Sequence, residues 1–324
     1  MRYLKRSLSL LLAVALSATL AAPVALASRS VSLGEFGSAA YAYVQQLSAV
    51  PRFVASPGGE TAAAGLVKGW LDEQGYKVEF QPFSFNYKGQ KFDSQNVVAY
   101  RKADDRRNRN ITPLVIIGAH YDAVPDGQGA DDNASGVGAM LEVVGRLTNQ
   151  ELPYDLAIVA FGAEETGLIG SNYYVKQMSQ ADIKRTLVMI NFDSLIAGDF
   201  RYIHAGFNRK TWARDEMLDI IDRLDLGIEI QPGLNKKYPA GFTPNGFSDY
   251  TAFNKVRIPI VAFESTNWNI GDLDGYEQTA DHGSFWHTAN DTLDIIEGIY
   301  PGRPLAHLHA YTELTYEFLS NLDR

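Results

Sequence analysis

One stretch constrains this chain more than any other. It reads Gly118-Ala-His120-Tyr-Asp122, a short polar loop, then Gly129-Ala-Asp131-Asp132-Asn-Ala-Ser-Gly, and it runs on through Val137, Met140, Leu141, Val144 and Leu147. Leu114-Val-Ile-Ile just ahead is apolar and mostly β-branched, the pattern of a buried strand, whereas the apolar positions behind repeat at helical spacing. A strand therefore ends at His120 and Asp122, and a loop delivers two aspartates to the start of a helix. In open α/β sheets the carboxyl ends of strands are where sites are built. His-x-Asp also has a mechanism, because a carboxylate can fix one ring nitrogen while the other binds a metal. Adjacent aspartates among Ala, Gly and Ser have no packing role, so they call for a cation or a chemical task.

The same arrangement recurs downstream. Leu156–Phe161 is a second buried run and ends in Gly-Ala-Glu164-Glu165-Thr-Gly; Leu187–Phe192 is a third and ends in Asp193. A helical segment is predicted over 171–184, so strands and helices alternate, the signature of parallel strands covered by helices. Upstream, helices are predicted around Tyr43-Val44-Leu47 and around Leu66-Val67-Trp70-Leu71, followed by strands at 78–87 and 96–100. The polar run 101–110 reads as a solvated turn. Downstream come a helix at 211–225, an irregular stretch 231–246, a short helix at 248–254, a strand at 258–263 and a closing helix near 305–319. The expected fold is α/β, a mixed and largely parallel central sheet flanked by helices.

The amino terminus belongs to a different class of segment. Arg2, Lys5 and Arg6 precede an apolar run, Leu8–Leu20, that leads into Ala25-Leu-Ala27. This is the pattern of a cleavable secretory signal over 1–27, and the run is too short and too broken by Ser and Thr for a membrane span. The expected mature chain is one domain, 28–324, secreted or periplasmic, with no stable membrane association after cleavage. The whole sequence has 29 basic and 38 acidic residues, a net −9. The leader takes three basic residues and no acid, leaving −12, a balance that argues against nucleic acid as a partner. There is no cysteine, so a metal site must be built from histidine and carboxylate.

His120, Asp131, Glu165, Asp193 and His287 make a set of two imidazoles and three carboxylates. Such ligands suit zinc, with manganese or cobalt behind it. Five exceed what one catalytic zinc takes, and they suit two ions sharing a bridging carboxylate. His204, His282, His307 and His309 read as ordinary core or surface histidines.

The motifs Gly-Ala-His120-Tyr-Asp122, Gly-Ala-Asp131-Asp132-Asn-Ala-Ser-Gly, Ala-Glu164-Glu165-Thr-Gly, Asn-Phe-Asp193 and His287-Thr-x-x-Asp291 resemble those of the co-catalytic zinc aminopeptidases of peptidase family M28. The resemblance implies a zinc-peptidase/phosphorylase-like three-layer sandwich that removes the amino-terminal residue from peptides or proteins with two Zn²⁺ per chain. It implies Asp131 as the bridging carboxylate, His120 and Asp193 on one ion, and Glu165 and His287 on the other. Glu164 would be the general base and Asp122 the partner of His120, with a cis peptide between Asp131 and Asp132. Some members carry a tyrosine before the last histidine; here that position is Trp286, so the oxyanion donor is left unassigned, with Tyr238 and Tyr276 as candidates. Three further segments, beginning at Pro232, Glu264 and Asp274, resemble a member that trims amino-terminal arginine. With the acids Glu264, Asp272, Asp274 and Glu277 they give an expected preference for a basic first residue. The rival readings are a glutaminyl cyclase-like enzyme with one zinc and fewer ligands, and a non-catalytic domain that has lost ligands. The full set present here favours hydrolysis.

Overall fold

The computed structural model describes residues 31–104 and 111–323. The proposed signal segment 1–27 and most of the polar turn 101–110 lie outside them. Helices α1 (Ser38–Leu47) and α2 (Thr61–Glu73) precede a hairpin of β1 (Lys77–Tyr87) and β2 (Gln90–Arg101). Then come β3 (Leu114–His120), an irregular turn Ala130–Ser135, α3 (Gly136–Leu147), β4 (Asp155–Phe161), α4 (Ile169–Gln177), α5 (Gln180–Arg185) and β5 (Thr186–Phe192). The chain continues through β6 (Phe200–Ala205), α6 (Trp212–Leu224), β7 (Ile228–Glu229), α7 (Tyr250–Lys255), β8 (Ile260–Thr266), α8 (Leu293–Ile299) and α9 (Arg303–Ser320).

The eight strands form one sheet in the order β1-β2-β4-β3-β5-β8-β6-β7. Its centre, β4-β3-β5-β8, is parallel, while β1 on β2, β2 on β4 and β6 on β8 are antiparallel. The sheet is thus mixed with a parallel middle, as expected. Side-chain alternation divides the core into two layers. Val115, Ile117, Leu156, Ile158, Val188, Ile190, Val261 and Phe263 pack with α1, α2, α3, α6 and α9. Leu114, Ile116, Ala157, Val159, Met189 and Ile260 pack on the opposite face with residues of α4 and α7. Burial on both faces is why these strands read as unbroken apolar runs.

Glu142, fully buried on α3, joins two helices of the first layer. Its carboxylate accepts Gly37 N at 3.0 Å and Ala40 N at 2.7 Å, satisfying otherwise unpaired donors at the start of α1, and Arg146 Nε donates to it at 2.9 Å. The single helix expected over 171–184 is two. Met178 is extended, and the Ser179 side chain restarts the chain as α5 by accepting Asp182 N at 3.0 Å. Three elements absent from the sequence reading are β6, β7 and α8. The six residues of β6 include Arg201 and His204, and pairing with β8 rather than an apolar pattern makes them a strand. Among the described residues no helix is long and apolar enough to cross a membrane.

Candidate active site

Parallel strands β3, β4 and β5 end on one edge of the sheet, and each delivers polar residues there. His120 is the last residue of β3, Glu164 and Glu165 follow β4, and Asp193 follows β5. Asp132 comes from the turn before α3, and His287 from the loop before α8. Three of the turns hold a non-glycine residue in the left-handed region: Ala163 (φ 56), Ser194 (φ 51) and His287 itself (φ 56). Such residues cost about 1–3 kcal/mol each and persist only where their surroundings impose them. Gly136 lets the aspartate turn pack against β5, since a Cβ there would meet Asn133 Oδ1 at 2.3 Å and Phe192 O at 2.6 Å.

One carboxylate joins the two imidazoles. Asp132 Oδ1 lies 3.2 Å from His120 Nε2, and Asp132 Oδ2 lies 3.2 Å from His287 Nε2. Asp193 Oδ1 is 3.4 Å from the same nitrogen of His120, and Glu165 Oε2 is 3.1 Å from that of His287. The groups His120–Asp132–Glu165 and His120–Glu164–Asp193 each bring their donor atoms within 4.8 Å of one another.

The structure corrects the position of the central aspartate. Asp131 does not face the imidazoles. Its Oδ1 accepts Ile196 N at 2.7 Å and Ala197 N at 3.1 Å, and its Oδ2 accepts Gln278 Nε2 at 2.6 Å. Those three bonds turn Asp131 away and present Asp132 instead. The cis peptide is likewise one bond later, between Asp132 and Asn133. The turn is held from outside by Asp291, which accepts Asp131 N at 2.7 Å and Asp132 N at 3.1 Å. From below, Arg52 Nη2 donates to Gly129 O at 2.6 Å.

Asp122 stands where a partner of His120 is needed. Its Oδ1 is 3.4 Å from His120 Nδ1 and accepts Glu164 N at 3.0 Å, while Oδ2 accepts Glu165 N at 3.1 Å. One buried carboxylate so orients an imidazole and the backbone of both glutamates. Gln278 was missed by sequence reasoning. Besides reaching Asp131 it accepts Phe285 N at 2.7 Å and Trp286 N at 3.0 Å, tying the aspartate turn to the segment that carries His287. A single glutamine in a long polar loop gives no pattern by which to find it.

The charges fit cations. Burial raises Glu164 well above the usual carboxyl range, and burial with Asp132 raises Glu165 to about 7. Burial also pushes Asp132 upward, but its hydrogen bonds with His120 and His287 outweigh this and hold it below the usual range. The same carboxylates, Asp132 before Glu165, lift the His287 imidazole to about 11. A field this favourable to positive charge suits a metal ion as well as a proton. Glu165 Oε1 is buried with no hydrogen-bond partner, as an oxygen left for an ion would be.

The cluster opens into a cavity lined by Phe247, Tyr250, Glu264, Tyr276 and Trp286, among others. Of the two candidate phenols Tyr276 lines it and Tyr238 does not; Trp286 Nε1 is buried without a hydrogen-bond partner. Of the four acids expected to favour a basic residue, Glu264 alone lines the cavity.

The family model described as Peptidase family M28 matches residues 96–302. The chain is 30% identical over 282 residues to the alkaline phosphatase isozyme conversion protein of Escherichia coli (strain K12), covering 75% of this chain and 78% of that protein. The structure superposes on a zinc aminopeptidase from Bacillus subtilis with a TM-score of 0.70 and 17% identity, over 90% of this chain and 98% of the other. It also superposes on Porphyromonas gingivalis glutaminyl cyclase with a TM-score of 0.66 and 21% identity, over 88% and 98%. At these identities the likeness is one of fold, and it extends to an aminopeptidase and a glutaminyl cyclase alike.

Proposed function

From the premise that the chain belongs to peptidase family M28 and is a metallo-aminopeptidase, we propose that it removes single amino-terminal residues, preferably basic ones, with two zinc ions. The observation that carries the two-ion reading is the Asp132 carboxylate, which offers one oxygen to the side of His120 and the other to the side of His287. Asp132 would bridge, His120 and Asp193 would complete one ion's ligands, and Glu165 and His287 the other's. A single-zinc site of the cyclase type would leave His287 and Glu165, or His120 and Asp193, without purpose.

When bound, two zinc ions supply Lewis acidity, polarising a carbonyl and lowering the pKa of water. The remaining work falls to the chain's own groups. Glu164, whose carboxyl burial has made a better proton acceptor, takes a proton from the attacking water and delivers it to the leaving amine nitrogen. Asp122 keeps His120 in one orientation and fixes the Glu164 backbone, so acceptor and imidazole stay in register. The buried wall of the cavity limits the water that competes for these groups. An exported mature chain beginning at Ser28 belongs to the same reading, motivated by Ala25-Leu-Ala27.

The test joins metal analysis to a substrate panel. About two ions per chain are expected, with hydrolysis of aminoacyl anilides and none of their N-acetylated forms. One ion per chain, or cyclisation of glutaminyl substrates in place of hydrolysis, overturns the proposal.

A further inference from the structure

Two ionisable side chains in the wall of the same cavity take no part in the chemistry above. Glu264 lies on β8 and His204 on the neighbouring antiparallel strand β6, where His204 pairs with Ala262 and Tyr202 with Glu264. Glu264 Oε1 accepts the indole N–H of Trp268 at 2.6 Å and stands 3.0 Å from His204 Nε2. Trp268 is itself buried and met edge-on by Tyr238, with ring centroids 5.6 Å apart. The carboxylate is therefore braced on one oxygen. Both His204 ring nitrogens are buried with no hydrogen-bond partner. No lysine or arginine forms an ion pair with Glu264 among the described residues. The surrounding wall is largely apolar, including Pro244, Phe247, Ala262 and Phe263.

A carboxylate without a fixed cation in an apolar wall is costly unless a cation visits it. We propose that Glu264 is the specificity-determining group that receives the side chain of the substrate's first residue, and that Trp268 and His204, both against Oε1, hold the carboxylate in place to do so. The inference rests on the aminopeptidase reading above. A carboxylate so placed takes a guanidinium or ammonium in preference to a neutral side chain.

The other titratable groups facing Glu264 are phenols: Tyr202 on β6, Tyr250 on α7 and Tyr311 on α9. Burial pushes Tyr202 up to about 12 and holds the other two well above the usual range, so all three stay uncharged across the working range. Asp193 and Glu164, across the cavity, belong to the catalytic cluster and are present alike in wild type and in a Glu264 variant, so comparing the two isolates Glu264.

The experiment measures kcat/KM of the metal-loaded enzyme for arginyl and leucyl anilides. The arginyl-to-leucyl ratio is expected to exceed one in the wild type. Glu264→Gln should lower that ratio at least tenfold, and His204→Gln, which removes only a neighbour of the carboxylate, should lower it less. Product inhibition by free arginine against free leucine gives a second readout and should follow the same order. An equal fall on both substrates in Glu264→Gln means a structural role and overturns the inference, as does a wild-type ratio at or below one. Failure of the wild type to hydrolyse either anilide overturns the aminopeptidase reading itself, and this inference with it.

Discussion

Gln278 Nε2 donates to Asp131 Oδ2 over 2.6 Å, and through that bond a residue of the loop before α8 decides which aspartate faces the site. The other end of the same amide accepts Phe285 N and Trp286 N, immediately before His287. Gln278→Leu removes these three bonds and a fourth, from Nε2 to Ser265 O at 3.3 Å, and leaves a buried carboxylate and two backbone donors short of partners. Each unsatisfied buried group costs about 1–3 kcal/mol, so urea denaturation should show a clear loss of stability. Metal affinity should fall as well, because the His287 segment loses its tie to the aspartate turn. Unchanged stability and metal content in this variant would disprove the coupling.

Asp131 and Asp132 should separate in the same assays. Asp131→Asn keeps an oxygen for Ile196 N and Ala197 N but turns an amide toward Gln278. It should cost stability while both ions remain. Asp132→Asn places a neutral group between His120 and His287 and should lose metal. The reverse pattern would restore Asp131 as the bridge.

The difference between these neighbours marks where the sequence stops being legible. The strand ends could be read because β3, β4 and β5 are buried on both faces, and continuous apolar runs end where burial ends. His120, Glu164, Glu165 and Asp193 follow from that alone. The aspartate turn has no period: Asp132 (φ −109, ψ 91) and Asn133 (φ −136, ψ 45) are not helical. Which carboxylate turns inward is decided by Gln278, Asp291 and the Ile196–Ala197 amides, all distant in sequence. The partner of Glu264 was hidden for a similar reason. His204 looks like a lone histidine until β6 pairs with β8.

Asp122→Asn should act on two groups at once. The carboxylate accepts both Glu164 N and Glu165 N, and an amide in its place cannot accept at both positions. His120 also loses the charge beside its Nδ1. Loss of such a supporting carboxylate typically costs about 10–100-fold in metal affinity or activity. Calorimetric zinc titration of the apo protein reads the effect directly, and wild-type affinity would contradict the role.

His307 supplies a prediction for acid stability. Burial, reinforced by Arg201 and Arg303, lowers its imidazole to about 3, and its Nδ1 lies 3.1 Å from Ser265 Oγ and 3.3 Å from Leu195 O. Between about pH 6.5 and pH 3 the unfolded chain binds this proton and the folded chain does not, so stability rises with pH across that window. Above it the full contribution is present; below it both states are protonated and nothing more is lost. The slope from this group approaches about 1.4 kcal/mol per pH unit. The difference between wild type and His307→Gln in urea denaturation should grow with pH through the window and level off above it. A difference that does not vary with pH would refute the neutral buried imidazole.

The two neighbouring glutamates give the sharpest test of the proposed chemistry. Both follow β4 and both have backbone amides held by Asp122, yet their surroundings differ. Glu165 Oε2 lies 3.1 Å from His287 Nε2, beside Asp132, as a ligand would. Glu164 sits with His120 and Asp193, raised by burial so that it can both accept and return a proton. Glu164→Gln keeps size and hydrogen bonding but removes the base, so both ions should stay while turnover collapses. General acid–base catalysis is typically worth about 10²–10⁴-fold, and the loss should reach the top of that range because one carboxyl serves both proton transfers. Glu165→Gln trades an anionic donor for a neutral one, so it should release one ion more readily and recover part of its activity in excess zinc. Metal content is measured beside turnover for each variant. If Glu164→Gln loses an ion while Glu165→Gln keeps two, the roles are exchanged.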